Sequence, residues 1–162
     1  MPSSTSFLDY VSVPPQVSLT PYSALHYKFL NISDEGFLSA ARALSPEAML
    51  EYQSAIGNAY TAMLYGKPVA VFGSAALWPG VEEAWSLLGD DSRTYAKTLT
   101  KIAVQFIDFR VISADLHRVQ MTVRCDDMRA VRWAKDALGF KIEGMMERYG
   151  TDGSDFYMMS RV

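Results

Sequence analysis

The chain has 162 residues, 49% of them hydrophobic and 20% charged, with a net charge of −3. This is the composition of one globular domain, large enough to bury about two thirds of its unfolded surface, and its charge gives no general attraction to nucleic acid or an anionic membrane. Cys125 is the single cysteine, which excludes an internal disulfide, fits a reducing compartment and reads as a packing residue at a strand end. His26 and His117 stand apart rather than in ligand spacing, so no metal site is expected. No apolar run approaches the roughly 18 residues of a membrane span, and Met1-Pro-Ser-Ser-Thr-Ser lacks the basic and apolar regions of a signal peptide, so a cytoplasmic location is expected.

In chain order, residues 1–20 are rich in Ser, Pro and Thr, and Pro14, Pro15 and Pro21 prevent regular helix, so they read as an irregular arm ahead of a single domain over 21–162. Leu25 to Ile32 reads as a first strand. Ser33-Asp34 starts a helix over Glu35 to Ala43, and Ser45-Pro46 starts another that Gly57-Asn58 ends. Ala59 to Leu64, Pro68 to Leu77 and Val81 to Leu88 read as an antiparallel meander, with turns at Gly66-Lys67 and Trp78-Pro79-Gly80. Gly89 to Thr94 is a loop. Thr94 to Phe109 is the clearest helix, with Tyr95, Leu99, Ile102, Ala103 and Phe106 on one face.

The last third carries the most information. Arg118 to Arg124 alternates as a half-buried strand, with Val119, Met121 and Val123 on one side. Asp126-Asp127 opens a helix with Ala130, Val131, Ala134, Ala137 and Leu138 on one face, ended by Gly139. Gly139-Phe140 is followed by Glu143-Gly144. The chain then closes with two strands about the turn Asp152-Gly153, whose acidic residues lack the spacing of a calcium loop. Met145, Met146, Met158 and Met159 fall on these strands and read as core packing.

The run from Arg118 through Leu138-Gly139-Phe140 and Glu143-Gly144 resembles the C-terminal half of the GNAT acyltransferases. Its ending, Tyr149-Gly150-Thr151-Asp152-Gly153-Ser154-Asp155, is similar to a GNAT-like branch among tailed-phage proteins. The order of elements agrees with the family independently. The resemblance implies an α/β (α+β) acyl-CoA N-acyltransferase fold: a central mixed, mostly antiparallel sheet of about seven strands flanked by about four helices. It also implies acetyl-CoA as cosubstrate, bound where the fourth and fifth strands diverge, and acetyl transfer to an amine on a small molecule or protein. The alternative it implies is a phage virion or host-interaction protein that has lost or altered acetyl-CoA use. A homodimer through exposed sheet edges is a further expectation.

Acetyl transfer needs a positioned thioester, a neutral amine and hydrogen-bond donors. The resemblance places the general base on the fourth strand, at Glu83 ahead of Glu82. Alternation sends one of the two inward, and Trp85 shares the face of Glu83 and can raise its pKa; a solvated strand edge is the other reading. The backbone of Ser86, Leu87 and Leu88 would hold the pantetheine arm. The family's glycine-rich phosphate turn corresponds here to Gly89-Asp90-Asp91-Ser92-Arg93-Thr94-Tyr95, with one glycine and two carboxylates. A carboxylate beside a phosphate costs on the order of 1 to 4 kcal/mol, so Asp90 and Asp91 must point away. Gly89, Ser92, Arg93 and the N–H groups of Thr94 and Tyr95 are then the phosphate contacts, or Asp91 or Ser92 is simply a helix cap. The family's helical tyrosine falls on Lys135, so either water, Tyr149 or Tyr157 serves as the acid or no specific acid is needed. Asp127 is a cofactor contact or a cap, and Trp133 packs beside the cofactor.

Overall fold

The structure is a computed structural model that describes residues 6–32, 50–52, 54–55 and 57–162. Its strands are β1 (Val17–Pro21), β2 (Gly57–Leu64), β3 (Lys67–Trp78), β4 (Val81–Leu88), β5 (Arg118–Arg124), β6 (Lys141–Met146) and β7 (Phe156–Arg161). They form one sheet in the order β1-β2-β3-β4-β5-β7-β6, in which every neighbouring pair is antiparallel except β4 with β5. The helices are α1 (Phe7–Tyr10), α2 (Ala24–Phe29), α3 (Ala96–Ser113) and α4 (Met128–Arg132), and residues 50–52 and 54–55 are also helical.

The meander follows from its turns. Tyr65 and Gly66 both take positive φ, 48° and 78°, the pairing that lets a two-residue turn match strand twist, so the turn lies one residue earlier than the sequence reading has it. Gly80, at φ 86°, turns β3 into β4 with the His117 ring lying where a Cβ would stand. This close approach excludes any larger residue.

Each face of the sheet has its own core. On one, Val71 and Leu87 pack with Leu50, Tyr22, Tyr27 and Trp85. On the other, Ile102 and Phe106 of α3 meet Phe7 and Val17, while Ile107 joins Val119, Val131, Ala134, Leu138, Phe140 and Met159. Met159 is buried to this degree, but Met145 is half exposed, so packing accounts for only part of the methionine group.

The N-terminal region departs from the sequence reading. Within the arm expected to be irregular, Val17–Pro21 is the edge strand β1, and Phe7 is buried with its ring 5.2 Å from those of Tyr60 and Phe106. An edge position tolerates proline, which is why Pro21 can close β1. Leu25 to Ile32 contributes a helix rather than a strand: Ser23 caps α2 at Leu25 N–H, while His26 Nδ1 accepts from Ser23 N–H at 3.1 Å. The apparent alternation of Leu25, Tyr27 and Phe29 belongs to a short helix whose Leu25 and Phe29 face solvent. Residues 90–93, expected as loop, and Thr94–Tyr95, expected to start the long helix, form a 3-10 turn (Asp90–Tyr95) leading into α3. The helix expected over 35–43, and most of the one from 46 to 56, lie outside the described residues.

Among the described residues, no helix is long and apolar enough to cross a membrane.

Candidate active site

The two edges of β4 are bonded differently. Towards β3, all of Val81–Leu88 has ladder partners, from Trp78 opposite Val81 to Ala70 opposite Leu88. Towards β5, pairing stops after Val81 with Arg118, Glu82 with Val119 and Glu83 with Gln120. From Ala84 to Leu88 on β4, and from Met121 to Arg124 on β5, the facing backbone edges diverge. A cleft of about 690 Å³ opens there, lined by both strands, α3 and α4. That is the volume range of small-molecule sites, and the unpaired amides supply hydrogen-bonding groups of the sort a chain of amides requires.

Alternation along β4 separates its adjacent carboxylates. Glu82 turns towards α3 and is 4% exposed. Arg110 Nε donates to Oε2 at 3.0 Å, Arg110 Nη2 donates to Oε1, and Ser74 Oγ donates to Oε2 at 2.7 Å. Burial pushes its pKa up, but the hydrogen bonds from Arg110 and Ser74, with the Arg110 charge, outweigh burial and hold the carboxyl below its usual value. Glu82 does not line the cleft, and an anion so fully engaged is a poor proton acceptor. Glu83 faces the opposite way and lines the cleft with Trp85 at the point where the strands part. Burial raises its pKa. Of the two carboxylates, Glu83 therefore has the geometry and the shifted pKa of a general base.

Ser86, Leu87 and Leu88 line the cleft, as do Ser92 and Arg93 of the 3-10 turn; Gly89, Thr94 and Tyr95 do not. The N–H of Gly89 is bonded to Val69 C=O at 2.9 Å and that of Asp90 to Asn31 C=O at 2.6 Å, so this part of the turn has spent its donors. Asp91 points away, paired with Lys67 at 3.0 Å. No side chain caps α3, whose first residue, Ala96, also lines the cleft.

The opposite wall is α4 and the end of β5. Asp127 lines it and caps α4, its Oδ1 accepting from Ala130 N–H at 3.1 Å. Trp133 begins the π-helical turn Trp133–Ala137 that follows α4, and its Nε1 donates to Thr100 Oγ1 at 2.9 Å, tying this wall to α3 across the cleft. Arg124 and Arg129 complete this wall; neither was identified from the sequence, because no local motif marks them.

Tyr149, on the connection between β6 and β7, reaches the cleft and packs edge-on against Phe156 with ring centroids 5.3 Å apart. Tyr157 packs instead against the core around Met159, and neither it nor Lys135 lines the cleft. Burial raises the Cys125 thiol pKa, so it is no ready nucleophile.

No protein-family model matches this sequence, and no curated protein matches it. Solved structures do. Ard1 from Thermoplasma volcanium is similar at a TM-score of 0.69 and 17% identity, over 90% of this chain and 97% of that one. Spermidine N-acetyltransferase from Vibrio cholerae, solved with CoA and spermine, is similar at 0.69 and 15%, over 91% and 96%. The yncA protein of Salmonella typhimurium, a putative acetyltransferase solved with acetyl-CoA, is similar at 0.69 and 12%, over 90% and 93%. These likenesses lend no support to the tailed-phage branch of the resemblance. With a seven-stranded, mostly antiparallel sheet in this order and its fourth and fifth strands splayed, the chain has the GNAT acyl-CoA N-acyltransferase fold.

Proposed function

We propose that this protein transfers an acyl group, acetyl in the first instance, from an acyl-CoA thioester to an amine. The observation that carries the proposal is the end of β4–β5 pairing at Glu83 and Gln120, which leaves an amide-lined cleft with a partly buried carboxyl at its apex. The residues present fit the cosubstrate. Free backbone edges run along Ala84–Leu88 for a pantetheine arm, and Ser92, Arg93 and the uncapped start of α3 stand at the mouth for phosphates. The pairing of Asp91 with Lys67 removes one of the two charges that argued against cofactor use.

When bound, the thioester supplies an acyl carbon open to attack by a neutral amine. The chain's part is to orient and to move protons. The Glu83 carboxylate, whose proton affinity is raised by burial, accepts the proton of the incoming amine, a contribution of roughly 10²–10⁴-fold for a well-placed base. Tyr149 is the phenolic hydroxyl among the cleft-lining residues and the one assigned to protonate the departing thiolate. Glu82 holds β4 against α3 through Arg110. The acceptor is a small-molecule or protein amine that reaches Glu83 in the cleft.

A thermal melt with CoA and with acetyl-CoA tests binding, since a ligand at about 100 times its dissociation constant stabilises by roughly 2.7 kcal/mol. Thiol release from acetyl-CoA across a panel of amines then tests transfer. Stabilisation with amine-dependent thiol release is expected. No shift at any concentration would overturn the proposal, and a shift without turnover of any amine would reduce the protein to a CoA-binding domain.

A further inference from the structure

The 3-10 turn before α3 is a weak anion site as it stands. The Gly89 and Asp90 amides are bonded to Val69 and Asn31, and a single turn residue with positive charge, Arg93, reaches the cleft. The opposite wall adds two arginines. Arg124 is committed, paired with Asp126 at 2.5 Å and Asp152 at 2.9 Å. Arg129, on the first turn of α4, is exposed, lines the cleft and has no acidic partner among the described residues.

Three of the nearby carboxylates are engaged. Asp126 is held by Arg124, Asp91 is held by Lys67 away from the cleft, and one oxygen of Asp127 is taken by Ala130 N–H. The remaining cleft carboxylate, Glu83, lies at the apex on β4. The mouth thus receives Arg129 from the α4 wall, opposite the turn from which Arg93 also lines the cleft. A planar guanidinium forms paired, charge-assisted hydrogen bonds to phosphate oxygens.

We infer that Arg129 is a phosphate ligand, holding a nucleotide phosphate from the α4 wall opposite Arg93 and making good what the turn has lost in glycines and free amides. This rests on the proposed use of an acyl-CoA, since coenzyme A supplies the phosphates. It places an anion grip on the Arg129 side chain rather than on backbone amides alone, and so predicts stronger salt dependence than an amide-lined turn would give.

The test is titration calorimetry with CoA on the wild type, Arg129→Ala, Arg129→Lys and Arg132→Ala. Arg132 is exposed on the same helix but does not line the cleft, so it controls for net charge. Arg129→Ala should bind CoA about tenfold more weakly, the scale of one charge-assisted contact, Arg129→Lys should lose less, and Arg132→Ala should match the wild type. Added salt should weaken CoA binding more steeply in the wild type than in Arg129→Ala. Wild-type affinity in Arg129→Ala, or an equal loss in Arg132→Ala, would overturn the assignment and leave the acyltransferase proposal standing. Absence of CoA binding by the wild type would remove both.

Discussion

The two seams of β4 differ in one respect that accounts for most of the proposed chemistry. Its seam with β3 is closed along all of Val81–Leu88, whereas its seam with β5 closes over three rungs and then opens. A closed seam satisfies every backbone group internally and leaves nothing to offer a ligand. An open one must satisfy them with water or with a substrate, which makes a strand edge inside a sheet a binding element. The same division appears in side chains one residue apart. Glu82 is locked into the closed structure by Arg110 and Ser74, and Glu83 borders the opening with burial raising its pKa.

The contrast can be broken hardest at Glu82. Replacing it with Ala leaves the partly buried Arg110 without its partner and should destabilise the fold by up to about 3 kcal/mol, read as a fall in the denaturant midpoint. Glu82→Leu combined with Arg110→Met should recover most of that loss; a Glu82→Ala protein as stable as wild type would show that the ion pair does not secure α3 to β4. Glu83→Gln should leave stability near wild type but slow transfer roughly 10²-fold near neutral pH. A Glu83→Gln enzyme at full rate would remove the base.

The two carboxylates should also give opposite pH responses. The lowered pKa of Glu82 means that the unfolded chain binds its proton more readily. Its stabilisation is therefore full above the unfolded value and is lost as pH falls through the folded one. The raised pKa of Glu83 means that the folded chain holds the proton, so stability falls as pH rises from the unfolded value to the folded one, while the rate climbs over the same interval as the base ionises. Stability curves of Glu82→Gln and Glu83→Gln against pH should lose these opposite slopes.

Smaller changes sharpen the picture of each seam. On the closed side, a Cβ at Gly73 would meet Asn58 O at 2.0 Å and the Trp85 ring at 2.8 Å, so Gly73→Ala should cost about 1–3 kcal/mol in a chemical melt. On the open side, Trp133→Phe removes the bond to Thr100 and part of the ring's packing and should cost at least about 1 kcal/mol, with a looser CoA site seen by calorimetry.

The sequence made these central strands readable and left the flanks obscure. Val81–Leu88 and Arg118–Arg124 stand where alternation and the bordering Gly80 and Gly89 place them. The terminal Leu138-Gly139-Phe140 was equally legible, since Gly139 ends its helix with φ 79°. The edge strand β1 was hidden among prolines and serines that an edge tolerates, and α2 imitated a strand because six residues are too few to show a helical period. At the site, alternation separated Glu82 from Glu83, but it could not supply the Arg110 and Ser74 partners that distinguish them, because those come from other elements. Arg129 was invisible for the same reason: its relevance depends on which carboxylates have already found arginines or helix amides elsewhere.

The central claim is that the β4 edge beyond Glu83 is kept free for a pantetheine arm. Hydrogen exchange along β4, with and without saturating CoA, tests it most directly. The β5-facing amides of Ala84–Leu88 should exchange rapidly in the free protein and become protected with CoA, while those around Val81 and Glu82 stay unchanged. Protection of the whole strand before any ligand is added, or no gain between Ala84 and Leu88 once CoA is bound, would contradict it.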